Sequence, residues 1–319
     1  MPTLGEYRRR LAQTAGFLIV TQASAGSAQP QQLVCSEFQS TSLEPTFLGN
    51  TWVYQPTGPN AGQARRVVYQ GLDTPTGIVT VDRPFGAATP QGTPLEFYGR
   101  LPPINTEGRT GLNELVNRTL AECWTIKKIS ITATSDSQRF WTINPPYTWL
   151  SSEDQIVDVY SFPANPTTGT QDELQATWQW RPDADNPTIE CGRALNMGDL
   201  CRILAITPMS WWINPAGTGW LMPASPGLSG ETDQGLLPIL GMEQVGKAYV
   251  YDELAKWGLP DDQQVYRQLA ARARAAANEY KRLTLQRPKR RTLHWPASMV
   301  VPGRWSYAYG AGQATVARG

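Results

Sequence analysis

A chain of 319 residues can bury a core without disulfides or metal, and its 40% hydrophobic content excludes bulk disorder. The 12 Trp, 26 Pro and 28 Gly predict short strands joined by turns, with aromatic surface suited to protein contacts. The net charge of +1 hides an asymmetry: Gln264 to Gly319 holds 11 Lys or Arg against one acid, Glu279, and so carries +10, whereas the rest carries −9. Such a basic end on an acidic body points to an interaction tail for nucleic acid or an acidic protein surface.

Leu4, Tyr7, Leu11 and Ala15 recur at helical spacing and predict a helix over 4–15, with Arg8 to Arg10 turned partly outward. The Ser-, Gln-, Pro- and Gly-rich stretch 21–62 reads as loop or extended arm, anchored by Phe47, Trp52 and Tyr54. Short strands follow at 66–69, 78–82 and 95–98, kept short or at edges by Pro75, Pro84 and Pro90. Leu112, Leu115, Val116, Leu120 and Cys123 form the apolar face of a helix over 112–124. Alternating segments between 126 and 213 predict a larger β region, with Trp178 and Trp180 on one face of a strand.

Residues 214–241 read as a long Gly- and Pro-rich connection. A helix over 242–257 is stopped by Gly258 and Pro260. The next, capped by Asp261 or Asp262, runs to about 285, with Val265, Leu269, Ala273, Ala276, Tyr280 and Leu283 as its buried stripe. Leu115, Leu120, Leu269 and Leu283 are expected on facing helices. The expected class is therefore α+β: a helical core bundle (1–20, 111–125 and 242–285) with two inserted antiparallel β domains. One is a small β unit at 46–105 and the other a β-sandwich-like domain at 126–213. An extended arm at 286–319 completes the chain.

Little in the sequence points to catalysis. The only histidine, His294, sits in the Pro-bounded tail, so nucleophile–histidine chemistry has no second component. Phosphate-cradling glycine loops are missing, and Gly227-Leu-Ser-Gly-Glu231 lacks the final glycine of a nucleophile elbow. Asp183, Asp185 and Asn186 offer oxygen ligands without the rest of a calcium loop. Cys35, Cys123, Cys191 and Cys201 form no metal or disulfide spacing and read as buried thiols. No enzyme activity, cofactor or metal is expected. Phe17 to Val20 is too short to span a bilayer and no signal peptide is evident, so a soluble protein with no membrane partner is expected.

The strongest local signal is the C-terminal run of bases, followed by aromatic and apolar residues in a segment too irregular to bury them itself. Arg287, Lys289, Arg290, Arg291, Trp295, Met299, Arg304, Trp305, Tyr307 and Tyr309 are the candidate partner-docking residues. Trp211, Trp212 and Trp220 leave sugar stacking open beside ordinary packing.

Val67-Val68-Tyr69, Gly71 to Phe85 and Pro90 to Phe97 resemble the strand–turn–strand insert of phage virion proteins. The helix 112–124, the segment Trp178 to Trp180 with Gly198 to Ile203, and the paired helices over 243–285 resemble, in that order, the remaining parts of phage head-to-tail adaptors (neck or connector proteins). The resemblance covers most of 1–290, and the chain is longer than the small helical adaptors. It implies a virion protein assembled in the host cytoplasm as a homo-oligomeric ring, commonly of twelve subunits. The arm would dock on the portal protein, a downstream tail protein would bind below, and non-specific DNA contact could occur in the channel. Another phage structural component (collar, decoration or fibre-like), a carbohydrate-binding β module and an enzyme with dispersed carboxylates remain alternatives.

Overall fold

The computed structural model describes residues 1–142, 150, 153–162, 174–181, 188–215, 218–219 and 226–285. Two compact units emerge, one of Met1–Cys123 with Pro208–Gln286 and one containing Trp124–Thr207.

The first unit opens with α1 (Leu4–Thr14). Thr3 and Glu6 form a reciprocal capping box: Thr3 Oγ1 accepts from the Glu6 amide at 3.2 Å, and Glu6 Oε2 accepts from the Thr3 amide at 2.7 Å. A six-stranded antiparallel sheet follows, in the order β1-β6-β3-β4-β5-β2. Its strands are β1 (Leu18–Gln22), β2 (Gln32–Val34), β3 (Trp52–Gln55), β4 (Gln63–Asp73), β5 (Ile78–Val81) and β6 (Pro94–Tyr98). Three of them lie within or overlap the stretch 21–62, so that stretch is not an arm. Leu33, Cys35, Phe38 and Leu48 from it are fully or almost fully buried. Strands of three to five residues between turn formers are too short to show a period, which is why composition misreads them.

The sheet is covered on both faces. Trp52, Tyr54 and Tyr98 face the helices, while Val53, Leu95 and Phe97 enter a second apolar cluster with Leu33, Phe38 and Val79. Central strands sandwiched this way lose the apolar–polar alternation of a half-exposed sheet. Gly77 closes the β4–β5 turn at φ +69°, and a Cβ there would lie 2.4 Å from the Cys35 carbonyl oxygen, so only glycine fits. Between Val67 and Leu72 the β4–β5 register slips, which leaves Val68 and Tyr69 exposed.

Helix α2 (Leu112–Glu122) buries Leu112, Leu115, Val116 and Leu120. Helix α3 (Ile239–Trp257) buries Met242, Val245, Val250 and Leu254. Helix α4 (Pro260–Thr284) starts with Pro260 in its first turn. Asp261 and Asp262 do not cap it: both sit in that first turn, where they favour the positive end of the helix dipole. The connection before α3 packs into the unit, with Leu228 and Leu237 buried.

The second unit carries β7 (Trp124–Thr132), β8 (Gln138–Thr142), β9 (Ile156–Phe162), β10 (Leu174–Gln175), β11 (Trp178–Arg181), β12 (Thr188–Leu195) and β13 (Leu200–Pro208). These form a four-stranded sheet, β10-β9-β13-β7, and a three-stranded one, β11-β12-β8. Trp141, Ile129, Val159, Ile189 and Ile203 are among its buried residues.

The expected architecture is corrected accordingly. The described residues form four helices and three small sheets, not a helical core bundle bearing two inserted β domains. Helices α1 and α2 have 11 residues each, too little apolar surface to close a core with α3 alone. The cluster holding Leu4, Leu11, Leu120 and Val245 therefore also takes in Trp52, Tyr54, Ala64 and Tyr98 from the sheet. The first sheet is one wall of the helical core rather than an insert. The extended C-terminal arm lies outside the described residues.

Candidate functional site

None of the ten candidate docking residues is described: Arg287, Lys289, Arg290, Arg291, Trp295, Met299, Arg304, Trp305, Tyr307 and Tyr309 all lie beyond residue 285. So does His294, and Trp220, Asp183, Asp185 and Asn186 also fall outside. Trp211 and Trp212 are half-buried in the first unit, in and just after the 3-10 turn Met209–Trp211. Two other features stand out in the first unit.

The first is a buried charge network around Arg8. Arg8 is fully buried on α1, opposite to its expected outward placement. The spacing explains why: Leu4, Arg8, Leu11 and Ala12 share one helical stripe, so the register that buries the leucines buries Arg8 too. Its guanidinium donates to Tyr98 Oη at 2.6 Å, Glu96 Oε2 at 2.8 Å, Glu231 Oε2 at 2.9 Å and Asn113 Oδ1 at 3.3 Å. A further bond to Glu231 Oε1 makes that pair bidentate. The guanidinium carbon sits 4.4 Å from the Tyr54 ring centre. Tyr54 donates to Glu231 and Tyr98 donates to Glu96. Arg9 closes the set by donating to Glu96 Oε1 at 2.7 Å.

Two cations thus meet two carboxylates. Burial works against the charge on Arg8, but Tyr98, Glu231 and Glu96 outweigh it and raise its pKa. Burial likewise works to raise Glu96, yet Arg8 with the bonds from Tyr98 and Arg9 holds its carboxyl below the usual 4.5. Burial and the bond to Glu231 push Tyr54 up. The bonds of Arg8 and its partners make the network a clamp joining α1, β3, β6 and the Glu231 loop.

The stability this clamp supplies depends on pH. Glu96 has a depressed folded pKa, so below about pH 4.5 the unfolded chain takes up the proton first. The contribution is complete above that value and lost as pH falls through the folded one. Glu96→Gln is therefore expected to flatten the acid limb of a stability–pH curve measured by urea unfolding. An unchanged acid limb would place the acid sensitivity elsewhere.

The second feature is a cleft of about 620 Å³ among α2, α3 and α4, lined by Arg118, Tyr249, Asp252, Glu253, Arg267 and Arg274. Its acids already have partners. Asp252 pairs with Arg274, and Glu253 with Lys256 at 2.6 Å and Trp257 Nε1 at 3.1 Å. Nearby, Arg109 lies 4.7 Å from the Trp257 ring centre, and Arg100 bonds Asp262 and Tyr266 at 3.1 and 3.0 Å. These arginines are held by an aromatic ring or by a carboxylate and a hydroxyl of their own unit.

The exterior of α4 continues that character. Only Ala270, Ala273 and Ala277 are buried along its 25 residues. The expected buried stripe holds at Ala273 alone: Val265, Ala276 and Leu283 are exposed and Leu269 and Tyr280 are half-buried. The same helical period serves two faces, and the small alanines, not the larger residues, take the tight α3–α4 contact. Arg267, Arg272, Arg274 and Arg282 are exposed as well.

Among the described residues, no group of three or more His, Cys, Asp or Glu could hold a metal, and no helix is long and apolar enough to cross a membrane. No family model matches the chain, and no curated protein or solved structure matches it.

Proposed function

We propose that this chain is a structural subunit of a larger particle, a head-to-tail adaptor of a tailed phage that assembles as a ring, docks on the portal and carries the tail. The observation supporting the assembly role is the outer surface of the α3–α4 hairpin. Leu240, Trp257, Leu259, Val265 and Leu283 are all exposed there, with Leu259 at 75%. Val265 and Leu283 are 18 residues apart, five helical turns, and so lie on one line of α4. Apolar side chains aligned this way, interleaved with arginines, favour a protein partner. The particular adaptor reading rests on the sequence resemblance and on the basic, aromatic segment 286–319 that α4 leads into. Its arginines would set docking register, or meet DNA phosphate in a channel.

The test uses the full chain and a 1–285 truncation, each mixed with isolated portal rings and followed by sedimentation and particle imaging. The full chain is expected to form rings on portals. The truncation is expected to keep its far-ultraviolet spectrum and melting temperature but fail to attach. Normal attachment by the truncation, or no association of the full chain with itself or with portals, would overturn the reading.

A further inference from the structure

In the second unit, β12 and β13 are consecutive in the chain yet belong to different sheets: β12 lies between β11 and β8, and β13 between β9 and β7. The chain passes from one sheet to the other within 196–199, turning at Gly198, whose φ is +90°. Cys191 on β12 sits opposite Trp178, and Cys201 on β13 sits opposite Ser161. Both side chains are fully buried, and their Sγ atoms are 3.8 Å apart. Cys35 and Cys123 occupy two separate apolar clusters of the first unit.

We propose that Cys191 and Cys201 are a redox-closable pair whose oxidation to a disulfide staples the two sheets of this unit together. A disulfide needs an Sγ separation of about 2.05 Å, so the sulfurs must close by about 2 Å, within reach of side-chain rotation and a small strand shift. The oxidant is a low-molecular-weight disulfide. One cysteine thiolate attacks it and releases one small thiol, leaving a mixed disulfide on the protein. The second cysteine, as thiolate, attacks the protein sulfur of that mixed disulfide and releases the second small thiol. The two protein thiols each lose a proton and together two electrons, which the small disulfide takes up in becoming two thiols.

The burial that makes the pair compact also makes it slow. The hydrogen bond with Cys191 and burial push the Cys201 thiol well above its ordinary pKa, so it stays protonated near neutrality. Closure then runs through transient opening of the sheets. The reduced form persists under reducing conditions. Once made, the disulfide is shielded by the same packing and closes the nine-residue segment 192–200, which narrows the unfolded ensemble. Nothing in this depends on the adaptor reading.

The experiment has two arms on the full chain: prolonged incubation of the folded protein with oxidised glutathione, and refolding from denaturant in a glutathione redox buffer. Remaining thiols are alkylated under denaturing conditions before tryptic mass mapping without reductant. The peptide ending at Arg193 holds Cys191 and the peptide 194–202 holds Cys201, so the cross-link reads as a joined pair that a phosphine separates. Expected results are this pair as the dominant product, alkylated Cys35 and Cys123, and a reductant-reversible rise in melting temperature of the second unit. The cross-link should vanish in both Cys191→Ser and Cys201→Ser. Alkylation of all four cysteines in both arms, or a dominant disulfide through Cys35 or Cys123, overturns the proposal.

Discussion

Replacing Arg8 by methionine is expected to cost about 3–5 kcal/mol of folding stability, read as a lowered urea midpoint. Methionine fills similar space but leaves Glu96, whose side chain is fully buried, with Arg9 as its one remaining cation beside the Tyr98 hydroxyl, and leaves Glu231 with the Tyr54 hydroxyl but without its bidentate partner. Tyr54 also loses the cation over its ring. The penalty comes mostly from stranding buried charge, not from the worth of the ion pairs themselves. Arg8→Met combined with Glu96→Gln should recover part of the loss, because the neutral amide removes one stranded charge. A shift below about 1 kcal/mol for the single variant would mean that water reaches these carboxylates, a surface-pair magnitude.

Leu120→Ala is expected to destabilise by about 2–5 kcal/mol through the cavity it leaves among α1, α2 and α3. Leu120 is fully buried in the cluster with Leu11, Val116 and Val245. Leu283→Ala is the informative contrast. Its side chain is 55% exposed, so stability should change by no more than about 0.5 kcal/mol while subunit association weakens. Calorimetry with sedimentation separates the two effects. Equal destabilisation by both substitutions would show that the α4 exterior is packed within the monomer and is not an interaction face.

What was legible in the sequence is local. Helix α2 lies at Leu112–Glu122, close to where Leu112, Leu115, Val116 and Leu120 predict it, because four apolar residues at helical spacing dictate the buried face. Helix α1 is legible for the same reason, and its capping box requires only Thr3 and Glu6. Gly258 and Pro260 separate α3 from α4 through backbone geometry alone. The charge asymmetry and the aromatic tail are properties of composition and carry the functional expectation unaided.

The tertiary structure decided what periodicity cannot encode. Arg8 shares the helical stripe of Leu4, Leu11 and Ala12, but the stripe does not say how a charge there is neutralised; its partners are Glu96, 88 residues away, and Glu231, 223 away. The stripe on α4 likewise admits two readings, and packing of α4 against α3 goes with the one in which Ala270, Ala273 and Ala277 are buried. Strands of three to five residues between 18 and 55 carry too few positions to show alternation, and β3 shows none because both its faces are covered. The sheet thus joins the helical core, through long-range pairings such as Leu18 with Tyr98 that only folding brings together.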